Sequence, residues 1–291
     1  MNEYVSVIIP TYNRADKLKR AIESVLKQTH ERFEIIIVDD HSRDETKSVV
    51  KNFIDERIYY IRNEENLGGS ESRNVGIRNA RYDYIAFLDD DDEWLPEKLE
   101  KQLKVLKKTS SIYCGVYTGF TRVKDSRIFS KHIYDKEGDL FNQLLWKNVI
   151  GSTSVIMLKK SCIVDVGGFT KNLPASQELE LYLRLSRKYK FKSIPEVLVT
   201  RYYHDDEQIT GNHSKKLVSK KYLYGKYQRE IKSNSKLHSK YLYQLAFLEY
   251  MNSNNKQALN HLITAFKLNP FGIKYYLWYP LKEMIMFTLK N

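Results

Sequence analysis

Four consecutive aspartates, Asp89, Asp90, Asp91 and Asp92, follow the apolar run Tyr84-Ile85-Ala86-Phe87-Leu88 and precede Glu93-Trp94-Leu95-Pro96. Like charges this close repel one another unless a cation or hydrogen-bond donors compensate them. A turn that merely caps a helix needs one aspartate, not four. Hard divalent ions such as Mg²⁺ and Mn²⁺ take oxygen ligands of this kind and hold a diphosphate jointly with one or two carboxylates. Two other runs could serve the same ligand. Pro10-Thr11-Tyr12-Asn13-Arg14 offers an aromatic face, exposed backbone and an amide, which could hold a nucleobase. In Asp39-Asp40-His41-Ser42 a carboxylate could accept a hydrogen bond from a base imide N–H, or Asp40 and Ser42 could simply cap the next helix. The glycine-rich stretch 66–76 allows close backbone approach, and its Arg73 could pair with phosphate or hold aspartates in place.

Elements must bring these runs together. The first hundred residues alternate short β-branched runs with helical patterns, the signature of βαβ units and a mainly parallel sheet. Strands are predicted at 5–9, 34–38, 58–61 and 84–88, with a helix carrying Leu18, Ala21, Ile22, Val25 and Leu26 on one face. In such sheets ligands gather beyond the carboxyl ends of the strands, where each polar run lies. Further on, a helix through Leu99, Leu103 and Leu106 and strands at 112–118 and 153–157 are predicted.

From about residue 214 strand signals stop. Helices at 240–252 and 256–267, followed by Asn269-Pro270, look like one tetratricopeptide-type hairpin with Ala246, Tyr250, Ala258 and Ala265 at its small or aromatic positions; two helices packed on the main domain are the alternative. Residues 211–291 hold 14 Lys and Arg against 3 Asp and Glu, which is +11 of the chain's formal +12. The chemistry-bearing part is therefore nearly neutral, which argues against nucleic acid as its partner. Cys114 and Cys162 stand far apart without a metal-binding spacing and are expected to be buried thiols. No run reaches the roughly 18 apolar residues of a spanning helix, and the run at 5–9 stops at Pro10, too short for a signal peptide, so a cytoplasmic location is expected.

In order and spacing, 5–13, 38–42 with Asp44 and Thr46, 66–76 and 87–96 resemble the family 2 glycosyltransferases over roughly residues 3–210. The resemblance implies an α/β fold of GT-A type, a mainly parallel sheet flanked by helices, over a catalytic domain of residues 1–212, followed by a smaller basic helical region at 213–291. It implies a nucleotide-sugar donor, usually a UDP-sugar, with Pro10, Tyr12 and Asp40 at the nucleobase. Asp89 and Asp91 match the two acids of the DxD motif, the first facing the ribose and the second ligating Mn²⁺ or Mg²⁺. Arg73 and Asp90 are assigned to the nucleotide as well. Gly167-Gly168-Phe169 resembles the segment lining the acceptor and sugar side. Ser176-Gln177-Glu178-Leu179-Glu180 resembles the Glu-Asp segment at a helix head, which makes Glu178 the catalytic base, with Gln177 and Glu178 in place of the usual Glu and Asp. A register two residues later would select Glu180. His204 falls where many members carry a histidine near the diphosphate, and is a second candidate metal ligand.

The same resemblance implies inverting transfer to a hydroxyl of a glycan or lipid-linked acceptor in cell-surface polysaccharide synthesis, by a metal-dependent hexosyl- or related transferase. A metal-dependent sugar nucleotidyltransferase would need a glycine-rich, Lys- or Arg-bearing loop directly after the first strand, which 10–14 does not offer; a non-catalytic sugar- or nucleic-acid-binding protein would release no nucleotide. Residues 271–289 are dense in aromatic side chains but interrupted by Lys274, Lys282 and Glu283. With the lysines of 215–240 they are expected to lie on the anionic inner face of the membrane, the competing expectation being packing of Trp278, Leu281, Ile285 and Phe287 on protein.

Overall fold

The computed structural model describes residues 3–203 and 212–272. The chain divides into two compact units, one of residues 1–172 with 177–203 and one of 173–176 with 204–291.

The first unit carries strands β1 (Val5–Thr11), β2 (Phe33–Asp39), β3 (Ile58–Arg62), β4 (Tyr84–Phe87), β5 (Asp92–Trp94), β6 (Tyr113–Lys124), β7 (Arg127–His132), β8 (Ile156–Lys159) and β9 (Lys190–Tyr202). Its helices are α1 (Ala15–Leu26), α2 (Thr46–Lys51), α3 (Gly68–Asn79), α4 (Lys98–Lys107), α5 (Phe141–Trp146), α6 (Lys160–Asp165) and α7 (Gln177–Ser186). The strands run in the order β3-β2-β1-β4-β8-β6-β9-β5, with β7 on β6. This is a mixed α/β sheet flanked by helices.

Parallel pairing holds from β3 to β4, where strand and helix alternate as the sequence pattern requires. Beyond β4 only β6 and β9 pair in parallel, and β8 and β5 join antiparallel. The order reverses beside β1, with β2 on one side and β4 on the other, the kind of switch point where α/β sheets take ligands. The core here is apolar on both faces of the sheet: Val7, Ile8, Ile9, Ile35 and Ile37 are fully buried, and α1 lays Leu18, Ala21, Ile22 and Val25 on it. Gly76 of α3 must be glycine, because a Cβ there would stand 2.4 Å from the Ile8 side chain.

Two strand expectations change. The predicted strand at 112–118 runs on to Lys124, and the one at 153–157 opens instead as a 3₁₀ turn, Thr153–Val155, with β8 starting at Ile156. The cause is tertiary: Thr153 and Ser154 spend their hydroxyls on the distant carboxylates of Asp89 and Asp92 rather than on a pleated surface. In β9 the register against β6 shifts across Pro195, which has no N–H to give the ladder.

The second unit is helical, with α8 (His213–Lys226), α9 (Gln228–Lys232), α10 (Ser235–Met251) and α11 (Asn255–Leu268). Asn212 and Asn234 cap α8 and α10 by accepting from Lys215 and Leu237 backbone N–H groups. Leu217, Leu242, Tyr243, Leu245, Leu248 and Ala265 form its core. Ala246, Ala258 and Ala265 are buried and Tyr250 is exposed. Cys114 and Cys162 are buried free thiols.

Candidate active site

The carboxyl ends of β1 and β2 are stitched to each other. Asn13, held at φ 51°, donates its backbone N–H to Ser42 Oγ at 2.9 Å and accepts from the Arg43 N–H at 2.7 Å. Pro10 lies in register with Val38 near the end of the sheet, and the Tyr12 ring stands half in solvent. Asp40 is buried. Its Oδ1 accepts from Asn63 Nδ2 and the Leu67 N–H, and its Oδ2 from the Gly68 N–H, each at 2.8 Å. It therefore caps α3, not the next helix α2, whose first turn is bound by Asp44 through the Thr46 N–H. Gly68 takes φ 80°, which presents its N–H to this carboxylate.

At the end of β4 the Asp92 N–H donates to the Asp89 carbonyl at 3.0 Å, closing a turn that splays the four carboxylates. Asp89 accepts from Arg73 Nη2 at 2.6 Å and Thr153 Oγ1 at 2.9 Å. Burial pushes its carboxyl up, but the Arg73 charge and hydrogen bond outweigh this, with Arg201 and Thr153 adding, and hold it below the usual range. Asp90 accepts from Arg14 Nη1 at 2.9 Å; burial raises its pKa to about 6 against the pull of Arg14. Asp92 accepts from Ser154 Oγ at 2.6 Å, with Arg201 Nε at 3.4 Å, and burial carries it to about 8. Asp91 accepts from the same Arg14 Nη1 at 3.1 Å. The exposures divide the four: the Asp89 and Asp91 side chains are 23% and 18% exposed, those of Asp90 and Asp92 only 6% and 3%.

Arg73 links this turn to the head of α7, since its Nη1 donates to Gln177 Oε1 at 2.9 Å while Nη2 holds Asp89. With the neutral Gln177 at that position, Arg73 keeps its ion pair for Asp89. One residue on, Glu178 is half-buried, and its carboxylate receives its own backbone N–H and a long 3.4 Å contact from Asn148 Nδ2. Burial pushes its pKa up and the Asp89 charge adds to this; its own backbone N–H, Arg73 and Arg201 oppose without cancelling. Glu180 differs completely. It is fully buried, takes Arg184 Nε and Nη2 at 2.9 and 2.6 Å, and accepts from Thr170 Oγ1 at 2.6 Å. The Gly167-Gly168-Phe169 segment is fixed by the Asn74 amide, which exchanges two hydrogen bonds with the Phe169 backbone at 2.8 and 2.9 Å. Gly168, at φ 70°, leaves room for that amide.

The fold thus gathers Arg73, Asp89, Asp90, Asp91 and Glu178 around the end of β4, and places Pro10, Tyr12 and Asp40 at the ends of β1 and β2. His204 lies outside the described residues. Sequence reading missed Arg14 and Arg201 as the counter-charges of the acidic turn, Ser154 and Thr153 as its hydroxyl donors, and Asn148. Their separations, 62 residues between Asp92 and Ser154 and 109 between Asp92 and Arg201, leave no local spacing to read.

Among the described residues no group of three or more His, Cys, Asp and Glu side chains could hold a metal ion. The donor set of the turn instead suits a cation held jointly with a substrate diphosphate, for which one or two protein carboxylates suffice. Asp91, partly exposed and held through a single Arg14 nitrogen that it shares with Asp90, has the right character.

The glycosyl transferase family 2 model matches residues 6–167. This chain belongs to that family. It is 35% identical over 188 residues to the "Putative teichuronic acid biosynthesis glycosyltransferase TuaG" of Bacillus subtilis, covering 63% of this chain and 72% of that protein. It is 34% identical over 158 residues to the UDP-Glc:alpha-D-GlcNAc-diphosphoundecaprenol beta-1,3-glucosyltransferase WfgD of Escherichia coli, covering 54% of this chain and 61% of that protein. The structure of S. aureus TarS 1-349 in complex with UDP-GlcNAc superposes with a TM-score of 0.68 at 16% identity, over 94% of this chain and 83% of that one, a likeness of fold. The chain is a glycosyltransferase of GT-A type, with one relative named for teichuronic acid biosynthesis and another for glucosyl transfer to a diphosphoundecaprenol-linked sugar.

Proposed function

We propose that this glycosyltransferase moves a sugar, with inversion, from a UDP-sugar to a hydroxyl of a glycan or lipid-linked acceptor, with Glu178 as the base. The observation that carries this is the contrast at the head of α7: Glu178 is raised by burial and nearly free of partners beside Asp89, whereas Glu180 is saturated by Arg184 and Thr170. A carboxylate of raised pKa is better matched to taking a proton from a hydroxyl as that oxygen attacks the anomeric carbon. The relative that acts on a diphosphoundecaprenol-linked sugar supports a lipid-linked acceptor, and with it a chain resting on the membrane that carries such lipids.

Tyr12 offers its exposed ring to the nucleobase, and Pro10 shapes the strand end beneath it. The carboxylate of Asp40 serves the base directly or through the 63–68 loop it holds. Asp89, clamped by Arg73, faces the ribose. Asp90 is turned inward on Arg14, so we assign it to hold Arg14 instead of touching nucleotide. Asp91 would hold Mn²⁺ or Mg²⁺, which supplies Lewis-acid stabilisation of the leaving diphosphate. Glu178→Gln tests the reading. The amide cannot take the proton, so UDP release from donor plus acceptor should fall by about two to four powers of ten with UDP affinity unchanged. In the native enzyme kcat/KM should drop as pH falls through a pKa above the ordinary glutamate value. Full turnover by Glu178→Gln would remove Glu178 from the chemistry.

A further inference from the structure

Along α11 the helical unit inverts the usual arrangement of a surface helix. It lays Ala258, Ala265 and the partly buried Leu268 inward, and turns four large side chains out: Leu259, Leu262, Ile263 and Phe266 are 57%, 41%, 45% and 50% exposed. The spacing i, i+3, i+4, i+7 puts them on one stripe, within an arc of about 100° at roughly 100° per residue. One edge of the stripe adjoins the buried alanines. Beside the other lie Lys256 and Lys267, both exposed. Tyr250 and Met251, at the end of α10 just before the turn into α11, are exposed as well.

A contiguous apolar stripe of this kind needs an occupant. A second copy is disfavoured by charge, because residues 212–272 carry 11 Lys and Arg against 2 Glu, and pairing two such units would set like charges against each other. An anionic lipid surface reverses that penalty: lysines beside the stripe meet lipid phosphates while the apolar side chains enter the acyl boundary. Among the described residues no helix is long and apolar enough to cross a membrane, and a stripe bordered by lysines is the pattern of a helix lying in the interface plane. The sequence that follows α11 continues with Tyr275, Tyr276, Trp278 and Tyr279, residue types that favour the same interface.

We propose that the outward face of α11, formed by Leu259, Leu262, Ile263 and Phe266 with Lys256 and Lys267 beside it, is a docking surface for an anionic lipid bilayer; this rests on the membrane reading above and gives it a site. The full chain is sedimented with vesicles of phosphatidylcholine alone and of phosphatidylcholine with phosphatidylglycerol, at low and high salt. The native chain should bind only the anionic vesicles and release with salt. Leu262→Ser with Phe266→Ser should weaken partitioning about tenfold or more, and Lys256→Gln with Lys267→Gln about tenfold or more at low salt only. Both pairs should keep the native melting temperature and the native rate of UDP release. If the native chain ignores anionic vesicles, the membrane reading falls and this surface with it. Should the native chain bind while the Leu262/Phe266 pair binds equally well, the membrane reading stands and α11 is not its surface. A lowered melting temperature in that pair would mean that other residues of the chain cover the face, and a change from dimer to monomer would mean that a second copy does. Either result overturns the proposal.

Discussion

The two units handle charge in different ways. Around the end of β4 the α/β unit draws ionic groups inward and matches them: Arg73 with Asp89, Arg14 with Asp90 and Asp91, Arg201 with Asp92, Arg184 with Glu180. The helical unit is basic on its outside, ties its buried Glu249 to Lys221 at 2.6 Å and Asn254, and shows large aliphatic side chains to the surroundings. Burying a charge is costly unless it is paired and hydrogen-bonded. A site that concentrates several such pairs at strand ends is therefore a site where a charged ligand is handled. Among the described residues, only in α11 do four exposed apolar side chains recur at helical spacing on one stripe, and that contiguity is what the lipid-docking proposal rests on.

The largest expected effect lies inside the acidic turn, between its open and closed carboxylates. Asp91→Asn removes a charge but almost no volume, so turnover should fall at least about a hundredfold at limiting Mn²⁺ with an unchanged melting temperature. Near-native turnover at low Mn²⁺ would break the distinction between Asp91 and its buried neighbours. Next comes Glu180→Gln. Removing the charge of the fully buried Glu180 from its pair with the partly exposed Arg184 should cost up to about 3–5 kcal/mol of stability, read by denaturant unfolding, while the remaining folded enzyme keeps its rate. A stable but inactive Glu180→Gln would move the base two residues along the helix.

The smallest effect belongs to the helical unit. There a lysine is driven down where the acidic turn drives carboxyls up: burial, with help from nearby Lys240, lowers Lys220 to about 7, its Nζ lying 3.6 Å from the centre of the Tyr241 ring. Between pH 7 and the ordinary lysine value the unfolded chain binds more protons than the folded one, so stability should rise with pH across that window. Lys220→Met should flatten the rise in denaturant midpoints measured at several pH values. An unchanged slope would mean that Lys220 titrates normally in the folded protein.

Much of the first unit was legible because it follows from local periodicity. The runs at 5–9, 34–38, 58–61 and 84–88 became β1 to β4, because β-branched residues on a sheet covered on both faces leave an almost continuous apolar signal. The second half of the sheet was not. The six residues by which β6 outruns its prediction pair with β7 and β9, and β5 is three residues long. Thr153-Ser154 reads as strand by propensity, but two carboxylates from another part of the chain claim its hydroxyls. Tertiary hydrogen bonds override propensity at such places.

By itself the sequence determined the chemical inventory: four aspartates after an apolar strand, an aromatic and an amide after the first strand, a glycine-rich turn with Arg73, and two glutamates at a helix head. These are consequences of residue type and order, and order along a parallel sheet already sends every strand end to one edge. Tertiary structure alone decided how the like members of that inventory differ. Asp89 and Asp91 reach outward while Asp90 and Asp92 are sealed, Asp40 closes on the first turn of α3, and Glu178 stands nearly free where Glu180 is clamped. Identical side chains acquire different roles through burial and partners, and the arginines and hydroxyls that supply those partners arrive from as far as 109 residues away.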